Sequence, residues 1–166
     1  MQMAITKDGE TKLNNYGQWD GYPSGQGADI LDFLRENDLD VYNEKLSQLR
    51  EVTQEELDEI NKFVESVTKQ NLGYEEERKE LEKNKQYDAL TRNCGSKIHK
   101  YILDGDCKYV TIDEDGHKWA AYVYTIDLQK RTFHVSGYVL DKTYSLDNLP
   151  TREEFIKELE TLEDED

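Results

Sequence analysis

The order in which strand-like and helix-like patterns follow one another constrains the fold of this chain more than any other feature. Two strand-like segments come first, apolar residues then recur at helical spacing over residues 28–103, alternation returns, and a last helical pattern follows. This order lacks the regular strand–helix–strand alternation of a doubly wound parallel sheet. It predicts an α+β fold: an antiparallel sheet built from an N-terminal hairpin and a C-terminal three-stranded meander, with helices packed on one face.

The length of 166 residues favours one domain over 1–166 with a helical middle region. Strands at residues 3–6 and 12–19 form the predicted hairpin, and Asp8-Gly9 suits its turn. Helices are predicted over residues 28–35 and 39–49.

Further helices are predicted after residue 49. Thr53 with Glu56, and Thr151 with Glu154, form capping boxes that predict two helix starts. Residues 74–84 are so charged that an exposed helix or loop is expected. Residues 87–103 read as one strong amphipathic helix.

The meander is expected from strands at residues 108–112, 118–126 and 131–140, with turns at 113–116 and 127–130. The turn at 113–116 (Asp-Glu-Asp-Gly) resembles the start of a calcium loop, but the twelfth position holds Tyr124 rather than Glu. A hairpin turn is therefore favoured. The acidic tail, residues 163–166, is expected to fray.

Charge limits the classes of partner. The chain has 21 Lys and Arg against 37 Asp and Glu, a net charge of −16. Such a charge repels nucleic-acid phosphates and anionic lipid heads, so direct nucleic-acid binding is not expected. A basic protein partner is favoured, as is plain solubility. The run Glu75, Glu76 and Glu77 is the candidate acidic interaction surface; the alternative is a solvated helix face.

The two cysteines, Cys94 and Cys107, show no metal-ligand spacing with the histidines, and no cofactor or metal is expected. Cys94 falls on the apolar side of the predicted helix, so a structural thiol is favoured over a nucleophile. Neither a leader peptide nor a bilayer-spanning apolar run is recognisable, which favours a cytoplasmic chain without membrane contact.

One segment, residues 16–27, differs from the rest in its concentration of aromatic residues and glycines. Its glycines would let the backbone approach a ligand closely, and free amides at a following helix start could hold an anion. The plainer interpretation is an ordered connection anchored in the core by Trp19 and Tyr22. The candidate binding residues are Tyr16, Gln18, Trp19, Asp20, Tyr22, Gly25 and Gly27.

Asp20 within this segment has two interpretations. A desolvated carboxyl group there would serve as a general acid or base. An Asp between Trp and Gly is also typical of a turn cap, and this second interpretation is favoured.

The segment Tyr16-Gly17-Gln18-Trp19-Asp20-Gly21-Tyr22-Pro23-Ser24-Gly25-Gln26-Gly27, followed by Ile30-Leu31-Asp32-Phe33-Leu34, resembles a group of small bacteriophage and prophage proteins. They share a Tyr-x-x-Trp-Asp-Gly-Tyr-Pro-x-Gly-x-Gly signature after an N-terminal hairpin. Residues 122–128 are also similar to that group. The resemblance implies a phage-related origin in a bacterial host cytoplasm and carries no settled activity.

Three functional hypotheses follow. The first is a non-enzymatic acidic binding protein of phage origin, an inhibitor of a host or antiviral-defence protein. The second is a small-molecule site, binding or enzymatic, that takes an anionic ligand at residues 19–27. The third is a structural or accessory component of the phage. No catalytic constellation is recognisable in the sequence, which favours the first.

Overall fold

The computed structural model describes residues 1–7, 10–17, 20–112 and 120–165. The strands in these ranges are β1 (Gln2–Lys7), β2 (Glu10–Tyr16), β3 (Arg50–Glu51), β4 (Tyr109–Val110), β5 (Tyr122–Asp127), β6 (Thr132–Gly137) and β7 (Asp141–Ser145). The helices are α1 (Ala28–Glu36), α2 (Leu39–Ser47), α3 (Gln54–Thr68), α4 (Tyr74–Glu82), α5 (Lys85–Asp88), α6 (Lys97–Leu103) and α7 (Arg152–Asp164).

The main sheet joins the two ends of the chain, with strand order β2-β1-β5-β6-β7. The hairpin β1–β2 and the meander β5–β6–β7 are antiparallel, whereas β1 and β5 run parallel. The predicted α+β class, with its hairpin and three-stranded meander, is confirmed. The sheet is mixed because the two antiparallel parts meet along one parallel pair. The predicted turn at Asp8-Gly9 lies outside the described residues.

The first strand predicted for the meander, residues 108–112, lies elsewhere, and the observed third strand was not predicted. Residues 108–112 contribute β4, which pairs in parallel with β3 in a separate two-stranded sheet. The meander is completed by β7 instead. Alternation identifies extended backbone but not its partner, which explains the difference. The turn predicted at 113–116 and the first residues of the strand predicted from 118 lie outside the described residues.

One face of the sheet carries the core, because alternate side chains of each strand point to the same side. Ile5, Ile126 and Phe133 lie on this face and are buried. Phe155 of α7 stacks on Phe133 with 6.0 Å between ring centroids. Helix α7 thus packs on this face, as the sequence predicts, and α1, α2 and α6 contribute buried residues to the same hydrophobic cluster.

Both capping boxes form as predicted. The Glu56 amide donates to Thr53 Oγ1 at 3.2 Å at the start of α3, and the Glu154 amide donates to Thr151 Oγ1 at 3.2 Å at the start of α7. In each box the threonine amide also donates a hydrogen bond to the glutamate carboxylate. Local sequence therefore sets where these two helices begin.

The single helix predicted over residues 87–103 is wrong. Two short helices, α5 and α6, are separated by an irregular connection over residues 89–96. Gly95 in this connection has a φ of +60°, a left-handed conformation that ends a right-handed helix. Cys94 therefore lies in the connection and not in a helix, although it is buried as predicted.

Helices α3 and α4 form a hairpin that stands apart from the main core. Helix α3 packs chiefly against α4, and α4 against α3 and α5. The buried side chains of Ile60, Val67 and Leu81 form no part of the main hydrophobic cluster. The charged region predicted at 74–84 is thus largely the helix α4, and it buries Arg78 as well as Leu81.

The acidic tail is partly ordered, since α7 runs to Asp164 and Glu163 accepts a hydrogen bond of 2.9 Å from the Tyr122 hydroxyl. The fraying predicted from residue 163 onward is therefore corrected for Glu163 and Asp164.

Candidate functional site

The loop over residues 16–27 is tied to the first residue of the chain. The main-chain nitrogen of Met1 donates to Gly17 O at 3.1 Å, and the Gly17 amide donates to Met1 O at 2.9 Å. Two of the predicted binding residues, Gln18 and Trp19, lie outside the described residues, and of Tyr16 only the backbone is described, as the end of β2. The remaining candidates are described from Asp20 onward.

Asp20 is exposed and has a φ of +52°. Its Oδ1 accepts a hydrogen bond of 3.1 Å from the hydroxyl of Tyr22, which is 47% exposed. This hydrogen bond raises the pKa of Tyr22. The carboxylate lies in water rather than in a desolvated pocket, so its environment favours the turn interpretation over a general acid or base.

The amides that precede α1 are already used within the loop. The Gly25 and Gly27 amides donate to Tyr22 O at 3.0 and 3.4 Å, and the Gln26 amide donates to Asp20 O at 2.8 Å. The Ala28 amide donates to Gly25 O. These four donors are satisfied by the chain's own carbonyls, and none is left free for an anionic ligand.

The loop glycines make room for other parts of the protein. A Cβ atom at Gly27 would lie 2.6 Å from Oη of the buried Tyr124, and one at Gly25 would lie 2.5 Å from Asp20 O. The Tyr124 hydroxyl is fixed by donating to Gly21 O at 2.8 Å. Close internal packing thus accounts for these glycines without a ligand.

Gln26 links the loop to the connection before α6, a contact that the sequence analysis missed. Its Oε1 accepts a hydrogen bond of 2.9 Å from the Ser96 amide, and a Cβ atom at Gly95 would lie 2.5 Å from Gln26 Nε2. The two segments are 70 residues apart in sequence. The loop therefore joins the hairpin, β5, α1 and α6, which is the behaviour of a structural connection.

The predicted acidic residues lie in the first turn of α4. Glu75 and Glu76 are exposed and Glu77 is half-buried. Carboxylates are favoured at this end of a helix by its partial positive charge. The neighbouring Tyr74 is 68% exposed. Tyrosine is enriched at protein-binding surfaces, whereas glutamate is depleted there, so the ring of Tyr74 is the more typical interface feature of this turn.

The same hairpin carries further free carboxylates. Between residues 51 and 82 there are eleven acidic and four basic residues. Some acids are paired, as Glu56 is with Arg50 at 2.6 Å, an interaction that lowers the pKa of Glu56 to about 2. Within the described residues, six acids of the hairpin and its leading strand form neither an ion pair nor a side-chain hydrogen bond: Glu51, Glu55, Glu65, Glu75, Glu76 and Glu77.

A buried ionic cluster lies where the hairpin meets the rest of the protein. The Asp88 side chain is fully buried and contacts Arg78 Nη2 at 3.0 Å, the Tyr101 hydroxyl at 2.9 Å and Thr91 Oγ1 at 3.3 Å. Desolvation, followed by the charge of Asp88, raises the pKa of Tyr101. Every polar group of Asp88 is engaged, which is the arrangement of a structural ion pair rather than a reactive acid.

The thiols do not have the environment of a nucleophile. Burial raises the pKa of Cys94 well above its ordinary value and that of Cys107 to about 11. A nucleophilic cysteine requires the opposite shift and some access to solvent. Cys94 and Cys107 are both free and buried.

Two classes of feature are missing from the described part of the chain. No three or more His, Cys, Asp or Glu side chains come together there in a way that would hold a metal ion. None of its helices combines the length and the apolar character needed to cross a bilayer.

Compared with known proteins, the chain matches no protein-family model, no curated protein and no solved structure.

Proposed function

We propose that the chain is a protein-binding module that presents the carboxylates of the α3–α4 hairpin to a basic surface on another protein. The observation that carries the proposal is the set of six unpaired acids on this hairpin and its leading strand, β3. Unpaired exposed charges are not neutralised within the chain, so they attract a partner of opposite sign and speed its association.

The position of the hairpin also supports the proposal. It lies outside the main core, so a partner contacts it without disturbing the sheet. Tyr74 supplies an exposed ring among the carboxylates, and tyrosine is enriched among residues that dominate binding energies. The resemblance to phage and prophage proteins extends the proposal: the partner is a host or antiviral-defence protein, and binding inhibits it.

The alternative of an anionic small-molecule site at residues 19–27 has less support. The amides of residues 25–28 donate to backbone carbonyls, and Gly25 and Gly27 face other parts of the protein.

The experiment is capture from a bacterial lysate on the immobilised protein, with washes at low and high salt and identification by mass spectrometry. The triple reversal of Glu75, Glu76 and Glu77 to Lys should abolish the capture of a basic, salt-released protein. The matched control reverses the exposed Glu153, Glu160 and Glu165 of the α7 region, which changes the net charge equally. Equal capture by both variants would refute the hairpin as the binding surface, and equal loss would show a net-charge effect alone.

Inhibition is tested separately, by the activity of the captured protein. It should fall when the wild-type chain is added and stay unchanged with the Glu75, Glu76 and Glu77 reversal. A partner that binds but keeps its full activity would leave the binding proposal standing and remove the inhibitory one.

A further inference from the structure

The α3–α4 hairpin contacts the rest of the protein through ion pairs, hydrogen bonds and the ring contact of Phe63 with Tyr87. The buried apolar side chains of the hairpin, such as Ile60 and Leu81, form no part of the main core cluster. An ion pair in place of apolar contact adds little net stability, because taking both charges out of water offsets their attraction. The hairpin therefore rests on a few specific contacts.

Those contacts are concentrated at two ion pairs. Arg78 of α4 reaches Asp88 at the end of α5, and Glu82 of α4 lies 2.5 Å from Nζ of Lys97 on α6. Lys97 Nζ also lies 3.9 Å from Asp88 Oδ2, so the two pairs form one cluster. Arg78 Nη1 is buried without a hydrogen-bond partner in the described residues, so the cluster is incompletely satisfied.

Two short chain connections join the hairpin to the rest of the protein, and the hairpin would rotate about them. The pairing of β3 with β4 holds the backbone up to Val52, whose amide donates to Val110 O at 2.9 Å. Helix α3 begins two residues later, and the return connection after α4 is Lys83-Asn84. Two further side-chain contacts lie near these connections. Arg50 of β3 pairs with Glu56 of α3 at 2.6 Å. The Tyr87 ring centroid lies 5.4 Å from that of Phe63, and the Tyr87 hydroxyl lies 3.3 Å from Glu59.

We infer that the α3–α4 hairpin is an arm that opens as a unit, closed against α5 and α6 by the Asp88 cluster, while the main sheet stays folded. Contiguous segments with their own small core and few contacts to the rest are those that open below the global unfolding free energy. The inference concerns the same hairpin as the proposed function but does not rest on partner binding, since the test below uses the protein alone.

Hydrogen exchange of the full chain, followed by mass spectrometry in the regime where exchange reports the opening equilibrium, tests the inference. Amides of residues 58–68 and 78–82 should exchange at least about tenfold faster, after correction for intrinsic rates, than those of 123–126 and 133–135. Asp88→Asn should accelerate the hairpin amides at least about tenfold further and leave the sheet amides unchanged, because it removes the buried carboxylate that holds Arg78 against α5 and leaves only Glu82, 3.7 Å away within the hairpin itself.

The control is Asp147→Asn, which removes the same charge from an exposed pair with Arg131 and should change neither region. If Asp88→Asn fails to fold, Lys97→Gln gives the same comparison with a smaller acceleration, since its side chain is 43% exposed. Hairpin and sheet amides that exchange at equal corrected rates in the wild type, or that accelerate together in either variant, would overturn the inference.

Discussion

The hydroxyl oxygen of Tyr42 lies 2.7 Å from Nδ1 of His99, and both side chains are buried. The pair joins α2 to α6, and the ring of Phe33 lies with its centroid 5.4 Å from that of His99. His99 Nε2 has no hydrogen-bond partner in the described residues. A second proton on the ring would place an uncompensated charge in the core, so burial lowers the pKa of His99 to about 4.

This pair predicts acid sensitivity. Between a pH of about 6.5 and about 4, an unfolded histidine takes up a proton that the folded one refuses, so the free energy of unfolding falls as the pH falls. The loss from pH 7 to pH 5 should be about 2 kcal/mol. Urea unfolding at several pH values in this range measures it.

His99→Gln supplies the control for that measurement. Glutamine keeps a polar group near Tyr42 but does not titrate, so the variant should be less stable at pH 7 and show a flatter pH profile. If the two profiles have the same slope between pH 5 and 7, other groups cause the acid sensitivity.

Gly27→Ala should destabilise the protein by about 1–3 kcal/mol, since the new Cβ atom enters the space of the Tyr124 ring. The ring has no room to move, because its hydroxyl is bonded to Gly21 O and its side chain is buried. Gly73→Ala is the comparison variant, with no atom within 4 Å of the new Cβ, and should cost less than about 1 kcal/mol, from poorer capping of α4. Thermal unfolding of both variants measures the difference. Equal unfolding midpoints for Gly27→Ala and Gly73→Ala would contradict the packing role of Gly27.

Neither thiol should react rapidly in the folded protein. Cys94 and Cys107 are buried and have raised pKa values, so the thiolate fraction at pH 8 is small. A disulfide reagent such as Ellman's should titrate both thiols at once in denaturant and only slowly without it. A rapid phase of one equivalent in the native protein would show that one thiol is activated.

Thr53→Ala should weaken the start of α3 by about 1 kcal/mol, because it removes the side-chain acceptor for the Glu56 amide. Thr53→Ser keeps a hydroxyl and should cost less. Exchange protection of α3 amides measures the difference. Equal protection in the two variants would show that the Arg50–Glu56 pair, rather than the threonine cap, holds this helix end.

Local signals in the sequence predicted local structure. The capping boxes at Thr53 and Thr151 need only residues three positions apart, and both helices begin where expected. Contacts between distant segments were not predictable in the same way. The helix expected over 87–103 is interrupted over residues 89–96, where Gly95 lies against Gln26, 69 positions earlier in the sequence.

The candidate sites likewise include features that local sequence predicts and features that depend on contacts with distant residues. The Glu75–Glu77 run was expected on an exposed helix or loop, and it lies in the exposed first turn of α4. The charge pattern gave no reason to expect that Arg78, in the same helix, turns inward to a buried Asp88 ten residues later. The glycines of residues 16–27 were noticed, but the contact of Gly27, Tyr124, comes about a hundred residues later in the chain.

The parallel pairing of β1 with β5 has a consequence for the protein's synthesis. Gln2 lies beside Val123 in the finished sheet, so β1 leaves the ribosome long before its second neighbour exists. At ordinary translation rates that interval is on the order of ten seconds. Until then the nascent hairpin offers an open strand edge, with Met3 and Ile5 uncovered by β5. Until β5 is made, the open edge of β1 is thus available to a chaperone or to a misplaced strand.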